Sequence, residues 1–164
     1  MSAKEIVNRY VIGDIHGCNR TFGKLLKKID LSTSDELYIL GDMINRGNNS
    51  SGVLKRIIRL QKKGFKIYPI KGNHENMLLT VIKKEPEKLH YFLKCHRSAD
   101  LLSNKGKIKK KYVKLLESLP YYYELDKCIL VHASLDMTRD DIFQNKSFML
   151  SSRYHRGDIA KLNG

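Results

Sequence analysis

Arg9-Tyr10-Val11-Ile12-Gly13-Asp14-Ile15-His16-Gly17 is a short apolar run that stops at a carboxylate, with an imidazole two residues later and a closing glycine. The run is β-rich and too short for a helix, so it reads as a buried strand, and the glycines that bracket Asp14 and His16 place both in the loop at its carboxyl end. Open α/β sheets gather their ligands at that end. An isolated Asp-x-His is common in structural settings, so its meaning depends on what the rest of the chain adds.

Working outward, Phe22, Leu25, Leu26 and Ile29 recur at helical spacing with lysines between them and predict an amphipathic helix packed on the first strand. Ser34-Asp35 turns the chain into Glu36-Leu37-Tyr38-Ile39-Leu40-Gly41-Asp42, a second strand that again closes on Gly-Asp. Ser50 or Ser51 is the expected cap of the next helix, with Val53, Leu54, Ile57, Ile58 and Leu60 as its buried stripe and Gly64 as its stop. Lys66-Ile67-Tyr68-Pro69-Ile70-Lys71 is a third strand; Pro69 removes a ladder donor and predicts an edge or a bulge. It ends in Gly72-Asn73-His74-Glu75. Three strand-helix units in succession predict a parallel sheet with right-handed crossovers and all the polar loops on one edge.

The stretch 75–119 reads as helices, buried through Met77, Leu78, Val81 and Ile82, then Leu89, Phe92 and Leu93, then Val113, Leu115 and Leu116, until Pro120. Two further strands flank Asp126-Lys127, a spacing for a two-residue hairpin, and the second ends in His132. From Asp136 onward no period stands out.

With 164 residues and 41% hydrophobic content, the chain reads as a single domain, 1–164. No stretch is long and apolar enough to span a bilayer, and the N-terminus has no signal-peptide pattern, so a cytoplasmic protein is expected. Cys18, Cys95 and Cys128 lack paired spacing and read as reduced thiols. The net charge of +14 is spread along helix faces such as Lys24, Lys27, Lys28, Lys55, Lys62 and Lys63, and the lysine run 105–114 interleaves Ile108, Tyr112 and Val113 at helical spacing. That pattern fits solvated helix faces better than a nucleic-acid site.

The strand endings together hold Asp14, His16, Asp42, Asn73, His74 and His132, a mixed oxygen and nitrogen set that suits Mn²⁺, Fe or Zn²⁺, with a carboxylate such as Asp42 able to bridge two ions. Gly13-Asp14-Ile15-His16-Gly17, Gly41-Asp42-Met43-Ile44-Asn45-Arg46-Gly47, Gly72-Asn73-His74-Glu75 and Val131-His132-Ala133 resemble the signature series of the PPP-type, calcineurin-like metallophosphatases. Those include bacterial and phage serine/threonine phosphatases and the related diadenosine tetraphosphatases. The resemblance implies an α/β fold of β-sandwich-like mixed sheets flanked by helices, and hydrolysis of phosphoesters by two divalent ions, Mn²⁺ first, that activate a water. By the same resemblance Asp14, His16 and Asp42 hold one metal, Asp42, Asn73 and His132 the second, Arg46 grips the phosphate and His74 protonates the leaving group. Arg153 falls where bacterial members place a second phosphate-binding arginine. Serine/threonine phosphoprotein is the first expected substrate and a phosphorylated small molecule, dinucleoside polyphosphate, the second.

Three positions depart from the pattern. Asn45 stands where the family usually has an aspartate, a change that leaves His74 beside an uncharged amide; the resemblance casts that partner as a hydrogen-bond acceptor. The Asn-Gly-Gly element that the resemblance places near Leu93 to Leu101 is unrecognisable around Cys95-His96-Arg97. The family's further metal-binding histidine, on a strand beyond Arg153, has no counterpart; His155 lacks the apolar strand before it. A truncated copy lacking its last strands is the expectation, and a pseudophosphatase that binds metal or phosphate the alternative.

Overall fold

The computed structural model describes residues 7–152. Each apolar run is a strand followed by a helix: β1 (Arg9–Ile12) and α1 (Asn19–Lys28), β2 (Glu36–Ile39) and α2 (Ser50–Lys62), β3 (Lys66–Pro69) and α3 (Asn73–Lys84). The strands form a parallel sheet in the order β1-β2-β3. Pro69 closes a strand at one edge, where its missing N–H costs no ladder bond. β1 departs from the expected buried strand. It has β2 as its one neighbour among the described residues, its side chains are exposed or half-buried, and Val11 is 50% exposed.

Beyond α3 come α4 (Leu89–Cys95), α5 (Lys110–Ser118), the antiparallel hairpin β4 (Tyr122–Leu125) and β5 (Cys128–Val131), and α6 (Lys146–Ser151). Alternation along β2 divides two layers. Leu37 and Ile39 are fully buried in a core with Phe22 and Leu26 of α1 and Val53, Leu54 and Ile57 of α2. Tyr38 points to the opposite face, stacks on Tyr68 at 5.1 Å and meets Tyr123 of β4 edge-on at 5.6 Å, which joins the two sheets. A one-residue slip of β2 would exchange these faces, driving Tyr38 into the aliphatic core and Leu37 and Ile39 out of it against the hairpin.

Two local expectations are corrected. The cap of α2 is Asn49, which accepts from the Gly52 N–H at 2.8 Å, because the Ser50 hydroxyl is taken by the Asn45 N–H at 3.0 Å. On α3 the buried face runs through His74, Glu75, Leu78 and Leu79 and leaves Met77 37% exposed, because the first turn must deliver His74 and Glu75 inward. The three cysteines are free and exposed, and no described helix is long and apolar enough to cross a membrane. Lys24, Lys27, Lys28, Lys55, Lys62 and Lys63 all lie exposed on helix faces or just beyond them, as their spacing implies.

The aperiodic stretch after residue 135 is organised by one buried carboxylate. Asp136 accepts from the Thr138 hydroxyl at 2.6 Å, Arg139 Nε at 2.9 Å and Asn145 Nδ2 at 2.9 Å, and Asn145 in turn caps α6. Asp35 performs a similar task before β2, accepting from the Ser32 hydroxyl at 2.7 Å, the Ser32 N–H at 2.9 Å and Asn8 Nδ2 at 2.9 Å. The Ser32 hydroxyl and N–H hold its carboxyl down at about 2, with Asn8 adding to them. A carboxyl with a depressed native pKa contributes stability above its unfolded value, and that contribution is lost as pH falls toward the native value. Acid denaturation should therefore show stability falling below about pH 4, and Asp35→Asn should flatten that limb; an unchanged acid limb would remove Asp35 as its source.

Candidate metal centre

The loops after β1, β2 and β3 meet because they share backbone hydrogen bonds. Ile15 and His16 both donate N–H to the Asp42 carbonyl, at 3.1 and 2.8 Å, and Gly17 donates to Met43 O at 2.9 Å. Glu75, fully buried, locks the third loop to the second. Its Oε2 accepts from the N–H groups of Asp42 (2.8 Å) and Gly72 (2.9 Å), and its Oε1 from Met43 (2.8 Å) and Ile44 (3.3 Å). A Cβ on Gly72 would collide with the Asp42 carboxylate, so the close approach of these loops requires glycine there. His16, Asp42, Asn45 and Arg46 all have left-handed backbones, with φ of 44°, 47°, 69° and 62°. Such strain persists where the surroundings over-determine it, and it clusters at functional sites.

Two imidazoles are fixed by backbone carbonyls. His16 Nδ1 lies 3.0 Å from Ile44 O and His132 Nδ1 lies 2.6 Å from Leu40 O, so in both rings Nδ1 carries the hydrogen and Nε2 presents a lone pair. His16 Nε2 faces Asp14 at 3.5 Å and Asp42 Oδ2 at 3.6 Å, is buried, and has no hydrogen-bond donor. His132 Nε2 faces Asp42 Oδ1 at 3.6 Å and the Asn73 amide at 3.0 Å. Asn73 Oδ1 itself faces acceptors, and the amide would have to turn over to donate to the Asp42 carboxylate at 3.0 Å. This is an assembly of lone pairs aimed at one another. Ligand atoms about 2.1 Å from a cation stand about 3.0–3.4 Å apart in octahedral or tetrahedral sites, near the spacing observed. The side chains therefore fit divalent cations, with Asp42 common to two groups: His16 and Asp42 with the His74 ring close beside them, and Asp14, Asp42 and His132. A His74 ring that accepts from Asn45 at Nδ1 has its hydrogen on Nε2 and is a neighbour of the first group, not a ligand.

A cavity of about 390 Å³ opens in front of these atoms, lined by Asp14, Asp42, Arg46, Asn73 and His132 and by Ser151 of α6. The Arg46 backbone is tied to His96 O at 2.9 Å. His74 is buried behind Asp42, its Nε2 3.8 Å from Asp42 Oδ2. Burial, foremost, pushes its pKa below the ordinary histidine value, against the raising effect of Asp42. Its other nitrogen reverses the expected relation with Asn45. Asn45 Nδ2 lies 2.8 Å from His74 Nδ1, while Asn45 Oδ1 accepts from the Ser98 hydroxyl at 2.7 Å. The amide donates to the ring and does not accept from it.

The structure thus brings Asp14, His16, Asp42, Asn73, His132, Arg46, His74 and Asn45 into one site. Arg153 and His155 lie outside the described residues. Glu75 and Ser98 were given no role by sequence reasoning. Glu75 has a local signal, a carboxylate three residues after the Gly72 helix cap, which is half of a capping box. Ser98 has none, because its partner is 53 residues away.

A parallel sheet whose carboxyl-end loops present shared carboxylate, imidazole and amide donors has the donor set of a divalent-cation site. The chain belongs to the calcineurin-like phosphoesterases, whose family model matches residues 8–156. A symmetrical bis(5'-nucleosyl)-tetraphosphatase of Nitrosomonas europaea is 32% identical over 132 residues, which cover 77% of this chain and 44% of that protein. Another, from Acidovorax sp. (strain JS42), is 48% identical over 71 residues, 43% of this chain and 24% of that protein. A crystal structure assigned as a diadenosine tetraphosphatase has a TM-score of 0.65 at 26% identity, over 87% of this chain and 58% of that chain. The chain spans less than half the length of these curated relatives.

The buried Glu75 yields the first test of the site. Glu75→Gln would set an NH₂ group against two of the four N–H donors, and each buried group left unpaired costs about 1–3 kcal/mol. Chemical denaturation should show a loss of about 2–6 kcal/mol; a loss below 1 kcal/mol would mean that the carboxylate does not hold the loops.

Proposed function

We propose that the chain hydrolyses phosphoanhydrides of the dinucleoside polyphosphate type, in preference to phosphoserine or phosphothreonine. The observation that carries this reading is the Asn45 Nδ2 to His74 Nδ1 contact at 2.8 Å. A ring that accepts a hydrogen bond at Nδ1 is neutral and bears its hydrogen on Nε2, the nitrogen on the Asp42 side, so it can offer a hydrogen bond there but is a weak proton donor. A serine alkoxide is nearly as basic as hydroxide, whose conjugate acid has a pKa of about 15.7, and it leaves poorly without a full proton. A phosphate oxygen with a second pKa of about 6 leaves as an anion and needs none. The names of the relatives support the same substrate class.

In this reading Asp14, His16 and Asp42 hold one divalent cation and Asp42, Asn73 and His132 the other. Mn²⁺ suits the mixed oxygen and nitrogen donors, and Fe and Zn²⁺ are the other candidates. When bound, such a pair supplies an activated water and neutralises phosphoryl charge. Arg46 lines the same cavity and orients a phosphoryl group through its fork of donors. Glu75 and the Leu40 and Ile44 carbonyls keep the donor atoms aimed before substrate arrives.

Calorimetric titration with Mn²⁺ should resolve a tighter and a weaker event. His132→Ala should remove the weaker alone and Asp42→Ala both; two events that survive Asp42→Ala would dismiss the shared-carboxylate assignment. In turnover assays with Mn²⁺, diadenosine tetraphosphate should exceed a phosphoserine peptide in kcat/KM by at least about 100-fold, the lower end of what a proton donor supplies. Asn45→Asp should narrow that ratio by raising peptide turnover, since a carboxylate favours the charged ring. A phosphopeptide turned over faster than the dinucleotide by the unaltered chain would reverse the assignment.

A further inference from the structure

Ser98 is fully buried in the loop between α4 and the short 3₁₀ turn Ala99–Leu101, and it touches no part of the cavity. Its N–H is already used by Leu93 O at 2.9 Å, and its hydroxyl meets Asn45 Oδ1 at 2.7 Å. Asn45 is equally buried, its N–H is held by Ser50 Oγ at 3.0 Å, and its amide spans the gap between Ser98 and His74. We propose that Ser98 is a positioning residue: its hydroxyl fixes the Asn45 amide so that the NH₂ group faces His74 and holds that ring with its hydrogen on Nε2.

The direction of the chain follows from counting donors. An amide turned over would present Oδ1 to His74 and Nδ2 to Ser98, and the serine would then accept. Its own O–H would lose the one acceptor the structure gives it among the described residues, and a buried donor without a partner is costly. In the observed sense the serine hydroxyl keeps its acceptor and each contact in the row joins a donor to an acceptor: Ser98 O–H to Asn45 Oδ1, and one Asn45 Nδ2–H to His74 Nδ1. What remains is the Nε2–H of His74, on the side of the ring 3.8 Å from Asp42 Oδ2. A carboxylate at position 45 would impose the opposite polarity, because it can accept from Nδ1–H and cannot donate.

The loop that carries Ser98 is tied to the segment 45–46 at a second point. The His96 carbonyl accepts the Arg46 N–H at 2.9 Å, one residue from the Asn45 side chain that Ser98 holds, and Arg97 between them takes a left-handed φ of 56°. The His96 ring stands 5.9 Å from that of His74 and 4.2 Å from Phe92. The segment 96–98 thus sets both the backbone of the phosphate-facing arginine and the hydrogen-bond polarity of His74.

This inference rests on the reading that His74 works on the leaving group, and its test separates the two. In the full chain labelled with ¹⁵N-histidine, with diamagnetic Mg²⁺ present at about pH 8, above the ordinary histidine range, long-range ¹H–¹⁵N correlation reports which ring nitrogen of His74 carries hydrogen. The expected state is Nε2–H in the unaltered chain, kept in Ser98→Thr, changed in Asn45→Asp to a ring that carries hydrogen on Nδ1, and mixed or reversed in Ser98→Ala. In parallel, Ser98→Ala should lower kcat for diadenosine tetraphosphate about tenfold with KM unchanged, and Ser98→Thr should restore it. Nδ1–H in the unaltered chain, or Nε2–H retained in Ser98→Ala, overturns the proposal. The first of these needs no variant to fold. A correct tautomer pattern without any turnover of the dinucleotide leaves the positioning role standing and defeats the substrate reading.

Discussion

Everything at the site depends on the carboxylate of Glu75. It is fully buried, and it accepts four backbone N–H groups drawn from two loops that end different strands. Burial drives its pKa up to about 7 and the neighbouring Asp42 charge adds to that, while the N–H donors favour the anion. Two carboxylates in so small a space repel, and the arrangement works because one is solvated by backbone and the other is turned toward cation-type ligands. Without Glu75 the loop 42–44 would have unpaired N–H groups in the interior, and the left-handed backbone of Asp42 would be held through its carbonyl side alone.

That interaction also explains what could be read in the chain and what could not. The parallel sheet was legible because β1, β2 and β3 are contiguous apolar runs with helical periods between them, and the metal-type residues were legible because each stands directly after such a run. These are local features. Asn45 could be seen as a departure from the family pattern, but its sense could not, because whether an amide donates or accepts is decided by Ser98, far away in sequence. The burial of β1 was misjudged for a related reason: a strand's composition reports what it can bury, and its place in the sheet decides what it does bury. The segment around Asp136 had no period to detect because a polar network, and not an apolar face, holds it.

The cavity's far wall has the same origin. Ala133, next to His132, donates its N–H to Met149 O at 2.9 Å, and α6 is capped by Asn145, which is itself held by Asp136. The side chains of Thr138, Arg139 and Asn145 hold the Asp136 carboxyl down at about 2, the Thr138 hydroxyl most of all, so this clamp keeps its charge throughout the neutral range. The position of His132 is thereby fixed from two directions, by Leu40 O through its ring and by α6 through its neighbouring backbone.

Discrimination between phosphate substrates follows from where these constraints fall. Donors around Asp42 meet only a phosphoryl group, which esters and anhydrides share, so their geometry is indifferent to what leaves. The Asn45 and His74 pair differs in kind: in the proposed role it would act on the basicity of the departing oxygen and not on its shape. A site tuned in that way would favour any phosphoanhydride over any alkyl ester, whatever nucleoside is attached. Under that reading, recognition of a nucleoside would come from surfaces outside the row of Ser98, Asn45 and His74, whereas the class of bond broken would be set within it.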